Sequence, residues 1–453
     1  MGRNNELELD FSVLDRVLNM FVKNNCRPIV ELGFMPDDLS KGPRPKPRYD
    51  YGASDLWMYP PKDYPKWQEL VYETVKHAVA KYGKEEVSAW YWELWNEPDN
   101  PGFFKGSIKD YCKMYDYAVA GAVAALEPVR IGGPGLASNP KFLQKFLKHC
   151  AGGKNYVTGE RGSRLDFISF HAKGTGWPLH GQPFEMPSLQ LILSHLESYA
   201  AVLQRFPQYR NTPILFDECD MAVATNYGVY DFPEFEMNNT EYYPIFVIRM
   251  AKAILDFIAE HHLPIRLFTT WAFYFEGKRF FEGNRALVTN ENIKKPVFNA
   301  FAMLEKMGGT RLRLRSDKNA KNAHVDGLAS LHPDGAVSVI IWNFVEESGQ
   351  AGEAERVQLL VKSLTFTSRE ITVERFQIDA KHSNAYACWH NLGEPQDPTK
   401  DEIARMRKSA DLELLEKREI DVVEGTVEYE FDLPLPGVCL LRFSAISSHR
   451  NQF

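Results

Sequence analysis

Residues 89–99 read Ala-Trp-Tyr-Trp-Glu-Leu-Trp-Asn-Glu-Pro-Asp, and the way this run ends decides the fold. Aromatic and apolar residues up to Trp95 make a short buried strand. Pro98 has no amide hydrogen to give to a ladder, so the strand ends near Glu97. Period-two alternation places Glu93, Trp95 and Glu97 on one side. An apolar Trp95 below Glu97 would disfavour the charged carboxylate and keep a proton on it. The competing reading of Glu97 is a solvated loop carboxylate; Asn96 beside it and Pro98 behind it favour a fixed one.

The same grammar recurs on both sides of this run. Further short apolar runs lie at residues 28–34 (PIVELGF), 129–132, 166–171 (DFISFH), 213–217 (PILFD) and 267–271 (LFTTW). Helical periodicity covers residues 11–24, 66–82, 108–126, 140–149, 188–206, 241–260 and 296–306. Strands alternating with helices imply a parallel sheet and an α/β fold. Acids and aromatics at several strand ends favour a (β/α)8-type TIM barrel over a doubly wound sheet. Only six strands are legible, whereas a closed barrel has eight. The expectation is therefore a barrel lacking its first two strands, from a truncated chain or one that closes through a partner, with a homo-oligomer allowed. Residues 132–135 (GGPG) read as a tight turn, and the Pro/Lys/Arg-rich residues 41–48 as a barrel-top loop.

After Gly308 and Gly309 the pattern becomes alternating, at residues 336–342, 357–361, 370–376 and 438–443, with a charged helical stretch at 400–417. This predicts a catalytic barrel domain over residues 1–308 and a C-terminal β-sandwich with a helical insertion over 309–453.

Composition narrows the function classes. A formal charge of −7 over 453 residues gives no basic footprint for nucleic acid. The first ten residues carry no apolar leader and no later apolar run is long enough to span a bilayer. As written the chain reads as cytoplasmic with no membrane partner, provided Met1 is its natural start. The six cysteines are dispersed and read as reduced and mostly buried. His261 and His262 are adjacent rather than a helical turn apart, and residues 132–135 lack the Gly-Lys-Ser/Thr ending of a phosphate loop, so neither metal nor cofactor is expected. Aromatic residues at 13%, nine of them tryptophan, suit a sugar-binding cleft as well as a core.

A second acidic strand end lies at residues 213–220 (PILFDECD). Glu218 is the candidate there. Its rivals are Asp217, which should alternate away from the cleft, and Asp220, which lies beyond the strand. Two carboxylates on nearby strand ends can flank a glycosidic bond, with retention needing a separation of about 5–5.5 Å and inversion roughly 6.5–9.5 Å.

The Asn96-Glu97-Pro98 motif and the later Glu218 resemble the clan of retaining glycosidases on (β/α)8 barrels. Within it the chain resembles glycoside hydrolase family 39, which contains β-xylosidases and α-L-iduronidases. Residues 28–36 (PIVELGFMP) and 383–386 (SNAY) are similar to the β-xylosidase branch; residues 155–160 (NYVTGE) and 166–174 (DFISFHAKG) look more like the α-L-iduronidases. The likeness runs from about residue 11 to the final sandwich strands. It implies Glu97 as general acid/base, Glu218 as nucleophile, and no cofactor. Asn96 would hold the sugar 2-hydroxyl, or else cap a strand end. His171 would border the cleft near the nucleophile, with an ordinary core histidine as the alternative. Glu31 would bind a hydroxyl or form a buried ion pair, and Trp271 would be a sugar platform or part of the core. Lys173, in His-Ala-Lys-Gly, and Arg285 would meet a uronate carboxylate. Ala172 stands where the iduronidase pattern has Arg, and Thr270-Trp271 where it has a substrate-binding Asp. The implied function is exo-hydrolysis of a glycoside or oligosaccharide at a terminal β-D-xylosyl residue. The alternatives are an α-L-iduronidase-like uronosidase and a catalytically weak carbohydrate-binding homologue.

Overall fold

The computed structural model describes residues 6–43, 55–224, 226–316, 324–346, 351–362, 364 and 369–446, so positions 44–48 of the basic loop lie outside the described residues. Close contacts divide the chain into two units, Met1–Ala172 with Ser194–Cys219 and Ile258–Thr269, and Lys173–Leu193 with Asp220–Phe257 and Thr270–Phe453.

The first unit is built on a six-stranded sheet in chain order: β1 (Ile29–Leu32), β2 (Tyr91–Leu94), β3 (Arg130–Leu136), β4 (Ile168–Phe170), β5 (Ile214–Phe216) and β6 (Ile265–Phe268). Every neighbouring pair is parallel. Parallel neighbours require a crossover long enough for a helix, and the sequence supplies helices with defined starts. Tyr64–Tyr82 begins where the Asp63 side chain accepts from the Lys66 amide, and Ile108–Ala125 begins with a reciprocal cap between Ser107 and Asp110. Along Tyr64–Tyr82 the buried residues Trp67, Val71, Val75 and Ala78 recur at helical spacing and join a core with Trp90, Trp92 and Leu94. All six expected strands are present. Glu97, His171 and Glu218 each follow the carboxyl end of a strand.

The tight turn expected at residues 132–135 is not there. These residues lie within β3, where pairing with β4 is interrupted between Gly133 and Leu136. The glycines serve a bulge instead. Gly135 has φ +55°, and a Cβ on it would stand 3.1 Å from the Trp95 carbonyl and 3.2 Å from Glu93 Oε1.

In the second unit, antiparallel strands run in the order Leu414–Asp421, Glu370–Ile378, Gly437–Ala445, Val337–Asn343, Val325–Leu331 and Thr310–Leu312, and Gly352–Val361 pairs with Val427–Leu435. Val339, Ile341, Val373, Tyr429, Phe431 and Leu441 share one core, so the two sheets form a sandwich. The helix expected over 400–417 is Lys400–Ala410 only, and Leu414–Asp421 is a strand. That strand is at the sheet edge, where Lys417, Arg418 and Glu419 face solvent and discourage further pairing, so its charge mimicked a solvated helix.

Candidate active site

β2 ends at Leu94, and beyond it Trp95 (φ 67°) and Glu97 (φ 48°) adopt left-handed backbone. Glu97 is therefore aimed by a turn rather than by the strand pleat. Its amide donates to the Gly135 carbonyl at 2.9 Å, and Asn100 Nδ2 donates to its Oε2 at 2.8 Å. The Asp99 carboxylate accepts from the amides of Ala137, Ser138 and Asn139 at 2.9, 3.0 and 2.9 Å, tying this turn to the chain just after β3. Trp95 is wholly buried, its ring N–H donating to the Phe103 carbonyl.

His171 follows β4, with its amide donating to the Leu136 carbonyl at 2.8 Å. It is buried, but it is not an ordinary core histidine. Its Nδ1 lies 2.9 Å from Glu97 Oε1 and 3.7 Å from Glu218 Oε2, and its Nε2 lies 3.9 Å from Asp217 Oδ1. One donor-type atom from each of Glu97, His171 and Glu218 falls within 4.8 Å of the others. An imidazole with two carboxylates is a set that could also ligate a cation such as zinc, although glycoside hydrolysis by paired carboxylates requires none.

Asp217 does not alternate away from the cleft. β5 ends at Phe216, so pleat alternation no longer governs the next residue, and Asp217 faces His171 and Glu93. Glu93 is fully buried and receives a hydrogen bond from the Ser169 hydroxyl. Burial, then the Asp217 charge and hydrogen bond, then Glu31, push its carboxyl well above the usual range. Glu31, opposite Glu93 in the β1–β2 register, is pushed up to about 7 by desolvation and by the charges of Asp217, Glu218 and Glu97, against His171. Glu31 is exposed as a residue, while its carboxyl faces the charges of Asp217, Glu218 and Glu97. Asn96 Oδ1 is buried and accepts no hydrogen bond from a described residue. Sequence reasoning put Glu93 inward without giving it a task and passed over Ser169. Their signal was present, since Ser169 stands two residues before His171.

Lys173, Arg285 and Trp271 belong to the second unit and meet at Asp220. Lys173 Nζ and Arg285 Nη1 each lie 2.5 Å from an Asp220 oxygen, the Thr270 hydroxyl donates to Oδ1 at 2.6 Å, and the Trp271 amide donates to it at 3.0 Å. Burial alone would raise the Asp220 carboxyl, but the Arg285 and Lys173 charges hold it well below the usual range. All three charged groups are buried. Trp271 lies past the end of β6 rather than on it, and 49% of it is exposed, so it is not a core residue. Asp220, considered in the sequence only as a rival nucleophile, is instead the counter-ion of both cations.

A parallel strand-and-helix unit that gathers two glutamates at its carboxyl edge, in a chain that continues into a β-sandwich, has the build of a glycoside hydrolase. The chain belongs to the glycosyl hydrolases family 39, whose profile matches residues 2–421. It is 26% identical over 479 residues to a β-xylosidase of Geobacillus stearothermophilus, a match covering all of this chain and 86% of the relative. It is 25% identical over 470 residues to an α-L-iduronidase of Mus musculus, covering 96% of this chain and 68% of that one. Its fold matches the crystal structure of a bacterial orthologue of human α-L-iduronidase with a TM-score of 0.80 at 22% identity, covering 98% of this chain and 74% of the other. A monomeric β-xylosidase from Caulobacter crescentus matches with a TM-score of 0.78 at 19% identity, covering 98% and 86%. The expected family and the expected barrel-type fold with a sandwich are thus both found. No helix among the described residues is long and apolar enough to cross a membrane.

Proposed function

We propose that the protein is a retaining exo-glycosidase that removes a terminal β-D-xylosyl residue, with Glu97 as general acid/base and Glu218 as nucleophile. One observation carries this reading: a carboxylate oxygen of Glu97 and one of Glu218 lie within 4.8 Å. That is close to the roughly 5–5.5 Å of retaining pairs and short of the roughly 6.5–9.5 Å that admits a water between inverting ones. Glu218 attacks the anomeric carbon while Glu97 protonates the departing oxygen; Glu97 then takes a proton from water as that water releases the sugar from Glu218. Asn96 Oδ1, buried without a partner, is an acceptor for a sugar hydroxyl whose hydrogen bond strengthens toward the transition state. On the same reading Glu31 binds a hydroxyl.

A neutral sugar is favoured because Lys173 and Arg285 already share Asp220. The match to a β-xylosidase over this whole chain points the same way. The uronosidase reading keeps one observation in its favour, since two cations, Lys173 and Arg285, meet at the single carboxylate of Asp220. Side-by-side hydrolysis of aryl β-xyloside and aryl α-L-iduronide by wild type, Glu97→Gln and Glu218→Gln tests the proposal. Preferred turnover of the xyloside, abolished in both variants and giving the retained anomer by proton NMR, is expected. An inverted first product overturns the mechanism, preference for the iduronide overturns the substrate, and binding without turnover supports the carbohydrate-binding homologue.

A further inference from the structure

Glu97, His171 and Glu218 lie past the carboxyl ends of β2, β4 and β5, and one atom of each falls within 4.8 Å of the other two. Two carboxylate oxygens and one imidazole nitrogen make a three-ligand set of the kind that binds zinc with a fourth position left open. Ligands at about 2.0–2.1 Å from an ion in a tetrahedron stand roughly 3.3–3.4 Å from one another. His171 Nδ1 is 2.9 Å from Glu97 Oε1 and 3.7 Å from Glu218 Oε2, one on each side of that spacing. Glu97 is held by His171 and Asn100, so the part-exposed Glu218 is the ligand that turns inward to close the set. A second observation concerns the far side of the imidazole. The 2.9 Å contact holds one proton between Nδ1 and Oε1, and an ion on Nδ1 takes that proton's place and leaves the ring proton on Nε2. Nε2 faces Asp217 Oδ1 at 3.9 Å, a buried oxygen without a hydrogen-bond partner among the described residues. A carboxylate on the far nitrogen is the common support of a metal-bound histidine. The reaction favours a cation at the same place, because the two glutamates flank an anomeric centre that becomes oxocarbenium-like and positive.

We propose that Glu97, His171 and Glu218 form an inhibitory site for a divalent transition-metal ion of the zinc type, which competes with the glycoside. The binding stands on the geometry of the three side chains; that it inhibits rests on the catalytic roles given above to Glu97 and Glu218. An ion held by both carboxylates occupies the oxygen that would protonate the leaving group and the oxygen that would attack the anomeric carbon. The ion is therefore an inhibitor and not a cofactor. The imidazole ligand sets its class, because nitrogen suits zinc and its neighbours, whereas magnesium demands an octahedron of oxygens.

The test uses the full chain, freed of metal by a chelator, with zinc chloride as the probe. Isothermal titration calorimetry should give one ion per chain at this site, and zinc should raise the melting temperature. Zinc should raise the KM for aryl β-xyloside while kcat recovers at saturating substrate, and the chelator should reverse the effect. Magnesium should need at least about a hundredfold higher concentration for the same inhibition. Glu218→Gln and His171→Ala should each weaken zinc binding by more than about a hundredfold, and Asp217→Asn by about tenfold to a hundredfold, the loss expected of a group that steadies a ligand. Melting temperatures without zinc identify the folded variants, and any one folded ligand variant decides the question. Zinc binding at wild-type strength in a folded Glu218→Gln or His171→Ala overturns the proposal, as does inhibition that saturating xyloside fails to relieve, or equal potency of magnesium. If the wild type turned over no glycoside, the catalytic reading would fall while calorimetry on the same variants still decided the site.

Discussion

The Nδ1 atom of His171 lies 2.9 Å from Oε1 of Glu97, and the imidazole is almost wholly buried while making that contact. A buried ring on one carboxylate oxygen, with Asn100 on the other, leaves Glu97 little rotational freedom. An acid that must meet a leaving oxygen in one geometry gains rate from such restraint. His171→Ala should therefore lower kcat by about tenfold to a hundredfold, more for aryl glycosides with poor leaving groups than for good ones. A leaving-group series gives the answer; an even loss across it would detach His171 from the acid step.

The two glutamates should fail differently. Glu97→Ala should lose about a hundredfold to ten-thousandfold with poor leaving groups and far less with activated ones, because proton donation matters least when the departing oxygen is already a good anion. Glu218→Ala should lose turnover with every leaving group and recover part of it with azide, which fills the space left by the side chain and gives a glycosyl azide of inverted configuration by a single displacement. Absence of azide rescue in Glu218→Ala, or the same leaving-group slope in both variants, would remove the assignments.

Asn96 offers a finer test. Its buried, unpartnered Oδ1 is costly in the free protein and is satisfied when a hydroxyl donates to it. Asn96→Ala should reduce kcat by about tenfold or more for the parent sugar. The loss should largely vanish for the 2-deoxy glycoside, which has nothing to donate. Comparing the two substrates separates a sugar contact from a structural one.

The strand-and-helix alternation was readable because each element is short, apolar and bounded by Gly, Pro or capping residues, as at Asp63 and Ser107. Glu97 and Glu218 were readable because each follows an apolar run that has to stop. What escaped was whatever departs from a pleat or depends on tertiary pairing. Period-two reasoning sent Asp217 the wrong way because β5 ends one residue earlier, and it took the Gly132-to-Gly135 bulge for a turn. The pairing of Lys173 and Arg285 with Asp220 was not legible because Asp220 is far from both in sequence. The edge strand at Leu414–Asp421 was hidden by the charges that protect it.

That counter-ion carries its own prediction. Asp220→Asn leaves two buried cations facing an uncharged amide and should destabilise the protein by about 3–5 kcal/mol. The pH dependence has a definite sign. The folded Asp220 carboxyl is held below its ordinary value of 3.8, so its contribution to stability is complete above that value and is lost as pH falls below it. Denaturant titrations from about pH 5 down to about pH 2 should show a decline below pH 3.8 in wild type that is shallower in Asp220→Asn. Lys173→Met removes one of the two cations from the same carboxylate, so a loss of iduronide hydrolysis in that variant counts for the uronate reading only if xyloside hydrolysis and the melting temperature are unchanged.

Lys295 should impose a slope of the same sign on the alkaline side. Its ammonium is buried, with Nζ donating to the Asn284 carbonyl at 2.7 Å. Burial pushes it down to about 7 from an ordinary 10.5, against the opposing charge of Glu236. Between those two values the unfolded chain binds the proton and the folded chain does not. Stability from this group therefore rises with pH across the window, by at most about 1.4 kcal/mol per pH unit for one proton, and is level outside it. Lys295→Met keeps the apolar stem and removes the titration. Other groups move the opposite way, because burial raises the thiol of Cys439 and the hydroxyl of Tyr386, so the wild-type curve alone does not isolate Lys295. The difference between the wild-type and Lys295→Met unfolding free energies, followed from pH 6 to 10 by chemical denaturation, does isolate it. That difference should turn progressively toward the wild type above about pH 7. A flat difference would mean that the amine stays charged in the folded protein, with water or an anion reaching it through the opening beside Asn284 and Thr289.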